Sequence, residues 1–324
     1  MEKVKITVFA DPVCTWCWGS APILRALEYR LGDKVEIDYV MGCMIEDITK
    51  YSNRRLGIGG DIPMSNRNIH KAWVEASAVH GMPVCEHPTR LFDEEHRSTA
   101  PQNMAYIAAK VYACKQGGEL AGRYKRYLRR LQEATALDAL HTCSASVLAD
   151  LAAVDGFEPE RFAEIMRSRE VQRLYEEDKE HCRRYEVQTY PTFLLEYKGV
   201  EIMLRGFTSL ETLEQNIKHL SYGKVAFTGA GSAVPLAERV IAFVERYKTA
   251  FPVELAMAFD MQRIGGKSAL NIESYVGLPD VLDELVSSGR LSIKPRGNGF
   301  MVYEKRVGEA EPIDVEEVSI GIDA

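Results

Sequence analysis

Nothing in this sequence approaches the roughly 18 consecutive apolar residues of a membrane-spanning helix, so no membrane span is expected. Positive charge is also in short supply. Forty Lys and Arg residues face 47 Asp and Glu, a formal net charge of -7. Such a balance offers no electrostatic footing for a dedicated nucleic-acid binder. The N-terminus enters a short apolar run, Ile6 to Ala10, that stops at Asp11. A secretory leader would need a longer apolar stretch and a small-residue cleavage site. Cysteine is sparse too: seven residues, at positions 14, 17, 43, 85, 114, 143 and 182, an odd number too scattered for a disulfide framework. Together with the missing leader pattern, this usage points to a reducing, cytoplasmic setting where thiols stay free unless chemistry needs them. What remains is ordinary globular composition, 46% apolar and 27% charged, in a chain of 324 residues without internal repeats. That length suits about two domains.

Residues 5–10 are rich in Val, Ile and Phe and read as a buried strand. Ile23, Leu24, Leu27 and Leu31 then recur at helical spacing, stopped by Gly32-Asp33. Val35, Ile37, Tyr39 and Met41 alternate with polar residues, which predicts a second strand, parallel to the first through a right-handed crossover. From about 51 to 185 the pattern turns helical, with stretches at 66–80, 101–115, 119–140, 144–154 and 159–185. Strand signals return at 192–197 and 201–205 around Lys198-Gly199, which suits a tight turn, and a helix follows from 209 to about 221. Neither β part could bury a sheet alone, so the expectation is one α/β domain, residues 1–222, split by a helical insertion. Residues 223–234 read as a linker, including Gly229-Ala-Gly-Ser-Ala-Val234, a poor imitation of a dinucleotide loop. Residues 235–306 follow as a small winged-helix-like α+β domain: helices at 235–248, 252–261 and 279–288, then a wing at 291–294 and 300–304. An acidic tail, 307–324, ends the chain.

The strongest signal is DPVCTWCWG, Asp11 to Gly19, between a strand and a helix. Cys14 would sit at the helix N-terminus, where free backbone N–H groups and the helix dipole favour a thiolate. Cys17 lies one turn on, placed to attack a mixed disulfide formed at Cys14. The spacing matches a reversible dithiol–disulfide couple. Half of a zinc site is the competing reading, but zinc would need two further ligands. The pairs on offer, His141 with Cys143 and His181 with Cys182, lie inside predicted helical regions, and His70, His80, His87, His96 and His219 show no metal spacing. No metal is expected. Trp18 reads as a core residue and Trp16 as a contact exposed on the active face.

The D-P-x-C-x-W-C-W-G motif, the helical insertion and Thr189-Tyr190-Pro191-Thr192 together resemble the DsbA-like branch of the thioredoxin superfamily, in particular its FrnE-type members. The resemblance spans about residues 1–222. It implies a thioredoxin fold with a large helical insertion, a nucleophilic Cys14, a resolving Cys17 and a substrate-facing cis-Pro191. X–Pro bonds are where cis peptides occur, and a proline opening a strand leaves a ladder donor missing beside Tyr190. A trans proline that merely ends the preceding helix is the plain alternative.

The function expected is therefore a cytoplasmic thiol–disulfide oxidoreductase, reducing or isomerising disulfides in protein or peptide substrates. Trp16, Tyr190 and Pro191 would contact the substrate, a cellular thiol reductant would recycle the pair, and no cofactor would be needed. A different class competes with it. A DsbA-like domain followed by a winged-helix-like one is similar to adaptors that deliver a regulator to a ClpXP-type protease, with the cysteines regulatory. A glutathione-dependent isomerase of the kappa-class transferase type is a third reading, and would not need Cys17.

Weaker signals have plainer explanations. Arg123, Lys125, Arg126, Arg129 and Arg130 make a basic run, but Tyr124, Leu128 and Leu131 form a helical apolar stripe, so a solvated helix face is expected. From Val225 onward ten basic residues meet fifteen acidic ones, a net charge of -5, and the third helix there carries Asp280, Asp283 and Glu284. A phosphate backbone would repel it. That unit is expected to pack on the rest of the chain or bind protein. Cys43 reads as a buried structural thiol.

Overall fold

The computed structural model describes residues 2–227 and 234–304. Half of the expected linker, residues 228–233, and the whole acidic tail lie outside the described residues. Strand β1 (Val4–Ala10) runs parallel to β2 (Val35–Met41), with Ile6 opposite Ile37. Between them stand α1 (Thr15–Gly19) and α2 (Ala21–Leu31), which buries Ile23, Leu24, Leu27 and Leu31 against the sheet.

The excursion from β2 to the next strand carries α3 (Ile62–His80), α4 (Ala100–Gln116), α5 (Arg123–Ala136), α6 (Ala145–Val154), α7 (Pro159–Met166) and α8 (Arg169–Arg184). Strand β3 (Thr192–Tyr197) returns antiparallel to β1, and β4 (Val200–Arg205) completes the order β2-β1-β3-β4. Helix α9 (Leu210–Leu220) packs Leu213 and Ile217 into the same core. A parallel β-α-β unit joined to an antiparallel hairpin and a final helix is the thioredoxin fold, here opened by a large helical insertion.

Three boundaries differ from the sequence expectation, two of them through a side-chain cap. The helix expected over 159–185 breaks at Arg167-Ser168, because the Ser168 hydroxyl accepts the Val171 N–H at 3.3 Å and starts α8 anew. Helix α3 begins earlier than 66, at Ile62, where the Asp61 carboxylate accepts the Met64 N–H at 2.6 Å. The stretch expected over 119–140 is α-helical only as α5, entered through left-handed Gly122 after a 3-10 turn, Gly118–Leu120.

Past the undescribed residues come α10 (Leu236–Tyr247), β5 (Thr249–Ala250), α11 (Pro252–Ala258), α12 (Leu278–Ser287), β6 (Ser292–Arg296) and β7 (Gly299–Tyr303). The strands form a small antiparallel sheet in the order β5-β7-β6. This unit has no core of its own. Val240, Phe243, Phe251 and Leu285 join Trp18, Trp73, Met82 and Phe92 in one buried cluster.

An ion network crosses the same seam. Glu254, fully buried, accepts from Arg25 at 3.0 Å, from both terminal nitrogens of Arg129 at 3.0 and 3.3 Å, and from the Phe251 N–H at 2.9 Å. Arg129 also reaches Glu133 at 2.6 Å. The basic run is therefore more than the solvated face expected. Arg129 turns inward, and Arg126 and Arg130 converge on buried Asp155 at 3.4 and 3.0 Å. Amphipathic spacing marked which face of α5 was apolar; it carried no sign of Asp155 or of Glu254, 125 residues beyond Arg129.

Removing one member of a buried pair strands the other charge, which typically costs about 3–5 kcal/mol. Glu254→Ala is expected to lower unfolding stability by about that much, read from the midpoint of urea unfolding. A loss below about 1 kcal/mol would show that the guanidinium groups find water instead.

Candidate active site

The motif begins with a turn that a buried acid builds. Asp11 accepts the Val13 N–H at 2.8 Å, and its backbone carbonyl accepts the Cys14 N–H at 3.0 Å. Its second carboxylate oxygen takes the Met44 N–H at 2.7 Å, the Thr99 hydroxyl at 2.7 Å and the Asn103 amide at 3.0 Å. Burial raises the Asp11 pKa, while these donors oppose the rise.

Cys14 is the N-cap of α1, with an extended backbone, and its sulfur accepts the Cys17 N–H at 3.4 Å. The Cys14 thiol in turn donates to the Tyr190 carbonyl at 3.4 Å. Both cysteines are free thiols and both are buried. Burial pushes the Cys17 thiol well up, and the neighbouring Cys14 sulfur pushes in the same direction. The two sulfurs thus sit in different environments: one caps a helix and faces a carbonyl, the other is sunk beneath it.

The Tyr190–Pro191 peptide bond is cis. The Tyr190 hydroxyl donates to the Gly42 carbonyl at 2.9 Å, and a Cβ at Gly42 would come within 2.1 Å of that oxygen, so glycine is required there. The Pro191 carbonyl accepts the Gly206 N–H at 2.9 Å, which ties the loop to the end of β4.

Trp18 is in the core, as its position suggested: 1% exposed, its indole N–H donating to the Pro83 carbonyl at 2.8 Å. Trp16 departs from expectation. It is half-buried, its ring packed on Phe207 at 5.2 Å and on His80 at 5.8 Å between centroids. Sequence reasoning missed both partners. His80 comes from the end of α3, and the signal available was Gly19, where a Cβ would come within 2.4 Å of the His80 ring. His80 accepts the Met82 N–H at 3.1 Å, and burial pushes its pKa down to about 3. Beside His80 and Phe207 lies a cavity of about 420 Å³, walled on its far side by Val253, Met257 and Tyr275.

Two further thiols lie near this arrangement without joining the Cys14–Cys17 pair. Cys43 is buried with its thiol 3.7 Å from the Ile45 carbonyl, and burial raises its pKa. Cys182 is buried below Tyr190, its thiol pushed up to about 11.

A family model described as thioredoxin (Thioredoxin_5) matches residues 8–215, and the chain belongs to that family. A ClpXP adapter protein, SpxH, from Halalkalibacterium halodurans is 22% identical over 264 residues, which span 81% of this chain and 79% of that one. Among solved structures, a candidate protein disulfide isomerase from Nitrosomonas europaea superposes with a TM-score of 0.56 at 16% identity, covering 69% of this chain and all of that one. A candidate DsbA oxidoreductase from Streptomyces coelicolor gives 0.51 at 15% identity, covering 72% and 99%. At these identities the structural likeness is one of fold. It carries the helical insertion as well as the sheet.

Two outcomes are expected from the site's electrostatics. Because Cys17 stays a thiol at neutral pH, peptide mapping after brief iodoacetamide treatment at pH 7 should find Cys14 labelled and Cys17 unlabelled; equal labelling of the pair would contradict this. His80 binds its proton more readily unfolded (pKa near 6.5) than folded, so its burial removes stability as pH falls from about 6.5 toward about 3. His80→Asn keeps an acceptor for Met82 and does not titrate. Between pH 7 and pH 5 the wild type should lose about 2 kcal/mol more than this variant in urea unfolding, and parallel losses would refute a buried neutral imidazole.

Proposed function

We propose that the protein is a thiol–disulfide oxidoreductase acting on protein or peptide disulfides in the cytoplasm. The observation that carries this reading is Cys14 itself: a helix N-cap whose sulfur accepts the Cys17 N–H and faces the Tyr190 carbonyl. In the proposed cycle the Cys14 thiolate attacks one sulfur of a substrate disulfide. The other substrate sulfur leaves as a thiolate and a mixed disulfide forms. Cys17, giving up its proton, then attacks the Cys14 sulfur and releases the second substrate thiol. The substrate has gained two electrons, and the Cys14–Cys17 disulfide awaits two from a cellular thiol reductant. Tyr190, whose carbonyl meets the Cys14 thiol, would contact the substrate chain together with Pro191 and Trp16. No bound cofactor enters the scheme.

A second reading has its own support. The SpxH relative is named as a ClpXP adapter, and it matches this chain across four-fifths of both lengths, past the thioredoxin part. In that reading the C-terminal unit and the cavity wall it supplies form a docking surface, and the thiols report redox state.

Insulin-disulfide reduction by dithiothreitol separates the two. The wild type should accelerate precipitation of the insulin B chain, Cys14→Ser should fall to the dithiothreitol background, and Cys17→Ser should accumulate a mixed disulfide visible on non-reducing gels. A folded wild-type protein no faster than background would favour the adapter reading.

A further inference from the structure

Two loops that sequence spacing kept apart meet on the insertion. One lies between α3 and α4 and carries Asp93 and His96. The other lies between α5 and α6 and carries His141. One ligand atom from each of the three residues falls within 4.8 Å of the others. Asp93 Oδ1 is 2.9 Å from His96 Nδ1, and Asp93 Oδ2 is 3.7 Å from His141 Nε2. The imidazole rings stand edge to face at 4.7 Å. A second feature points to a ligand. His141 Nε2 is buried and makes no hydrogen bond, although it is aimed at the carboxylate. A buried ring nitrogen without a partner is uncommon in a folded protein.

We infer that Asp93, His96 and His141 bind one divalent transition-metal ion of the zinc type. Two imidazoles and a carboxylate are a borderline donor set suited to such ions rather than to calcium or magnesium. Metal–ligand bonds of about 2.0–2.1 Å at tetrahedral angles place ligand atoms roughly 3.3 Å apart. The 2.9 and 3.7 Å separations, one to each oxygen of Asp93, bracket that spacing, so small side-chain rotations suffice. Asp93 Oδ1 also accepts the Glu95 and His96 backbone N–H groups at 2.9 and 2.8 Å, and at Oδ2 the competing group is Arg90 at 3.5 Å, whose side chain is 77% exposed and free to turn into solvent. Solvent would supply the fourth ligand, since His96 and His141 are each about a quarter to a third exposed.

The ion would clasp two loops 45 residues apart. The first of them runs on through Thr99, whose hydroxyl holds Asp11 beneath Cys14. The site is thus mechanically joined to the thiol motif while sharing no ligand with it.

The test uses the full chain with Cys14, Cys17 and exposed Cys114 changed to Ser, so that these thiols do not capture metal. Zinc chloride titrated by calorimetry into chelator-treated protein should bind one equivalent at micromolar or tighter affinity and raise the melting temperature. Cobalt should give the visible bands of a low-symmetry site. His96→Ala, His141→Ala and Asp93→Asn, each checked for folding by circular dichroism, should weaken zinc by more than about 100-fold and abolish the thermal shift, since outer-sphere losses alone reach that range. Absence of saturable micromolar binding overturns the site. One-to-one binding that survives all three substitutions overturns it equally.

Discussion

The buried carboxylate of Glu254 is the constraint on which the rest of the structure turns. It draws Arg25 from α2 and Arg129 from α5 onto α11, three helices far apart in the chain. A carboxylate taken wholly out of water persists only when paired and hydrogen-bonded, so the three helices must assemble together. The Arg129 guanidinium then lies 4.4 Å over the Trp18 ring, and Trp18 stands next to the cysteine pair. Glu254 also closes the cap of its own helix by accepting the Phe251 N–H. One side chain thus sets a helix start, a seam between units and the floor under the thiol motif.

Two other buried acids repeat the device. Asp155 gathers Arg126 and Arg130 and holds α5 against the end of α6. Asp11 gathers backbone and side-chain donors from residues 13, 44, 99 and 103, so the turn before Cys14 is fixed by the insertion as well as by the sheet. Burial opposes ionisation at Asp11 while its donors favour it, and the position of Cys14 depends on those donors staying in place.

Much of this was legible in the sequence, and the reasons divide by range. The parallel β-α-β opening, the hairpin and the helical excursion follow from local periodicity, and the cysteine pair from its spacing and place before a helix. Features decided by tertiary contact were not legible. Ser168 as a cap splitting a long helical pattern is local in cause, yet indistinguishable there from an exposed serine within a helix. Trp16 reads as exposed until His80 and Phe207, both distant in sequence, close on it. Arg129 reads as solvated because its partner is 125 residues away. His96 and His141 show no ligand spacing because spacing is a property of one segment, and here two loops meet.

The same seam governs how the two functional readings relate. The two sheets take their strands from opposite sides of residue 222, whereas the core does not divide there, since Phe243 and Phe251 share a cluster with Trp18 and Trp73. The sulfur chemistry would need only the 11–19 motif and the 190–191 loop. However, the cavity beside them has His80 and Phe207, the two residues packed on Trp16, on one side and Val253 and Met257 of the C-terminal unit on the other. Any chain that settles against Trp16 by way of this cavity therefore touches α11, whether its disulfide is being reduced or it is only being held. Substitutions on α11 would perturb both activities, and the functional readings separate at the sulfurs themselves.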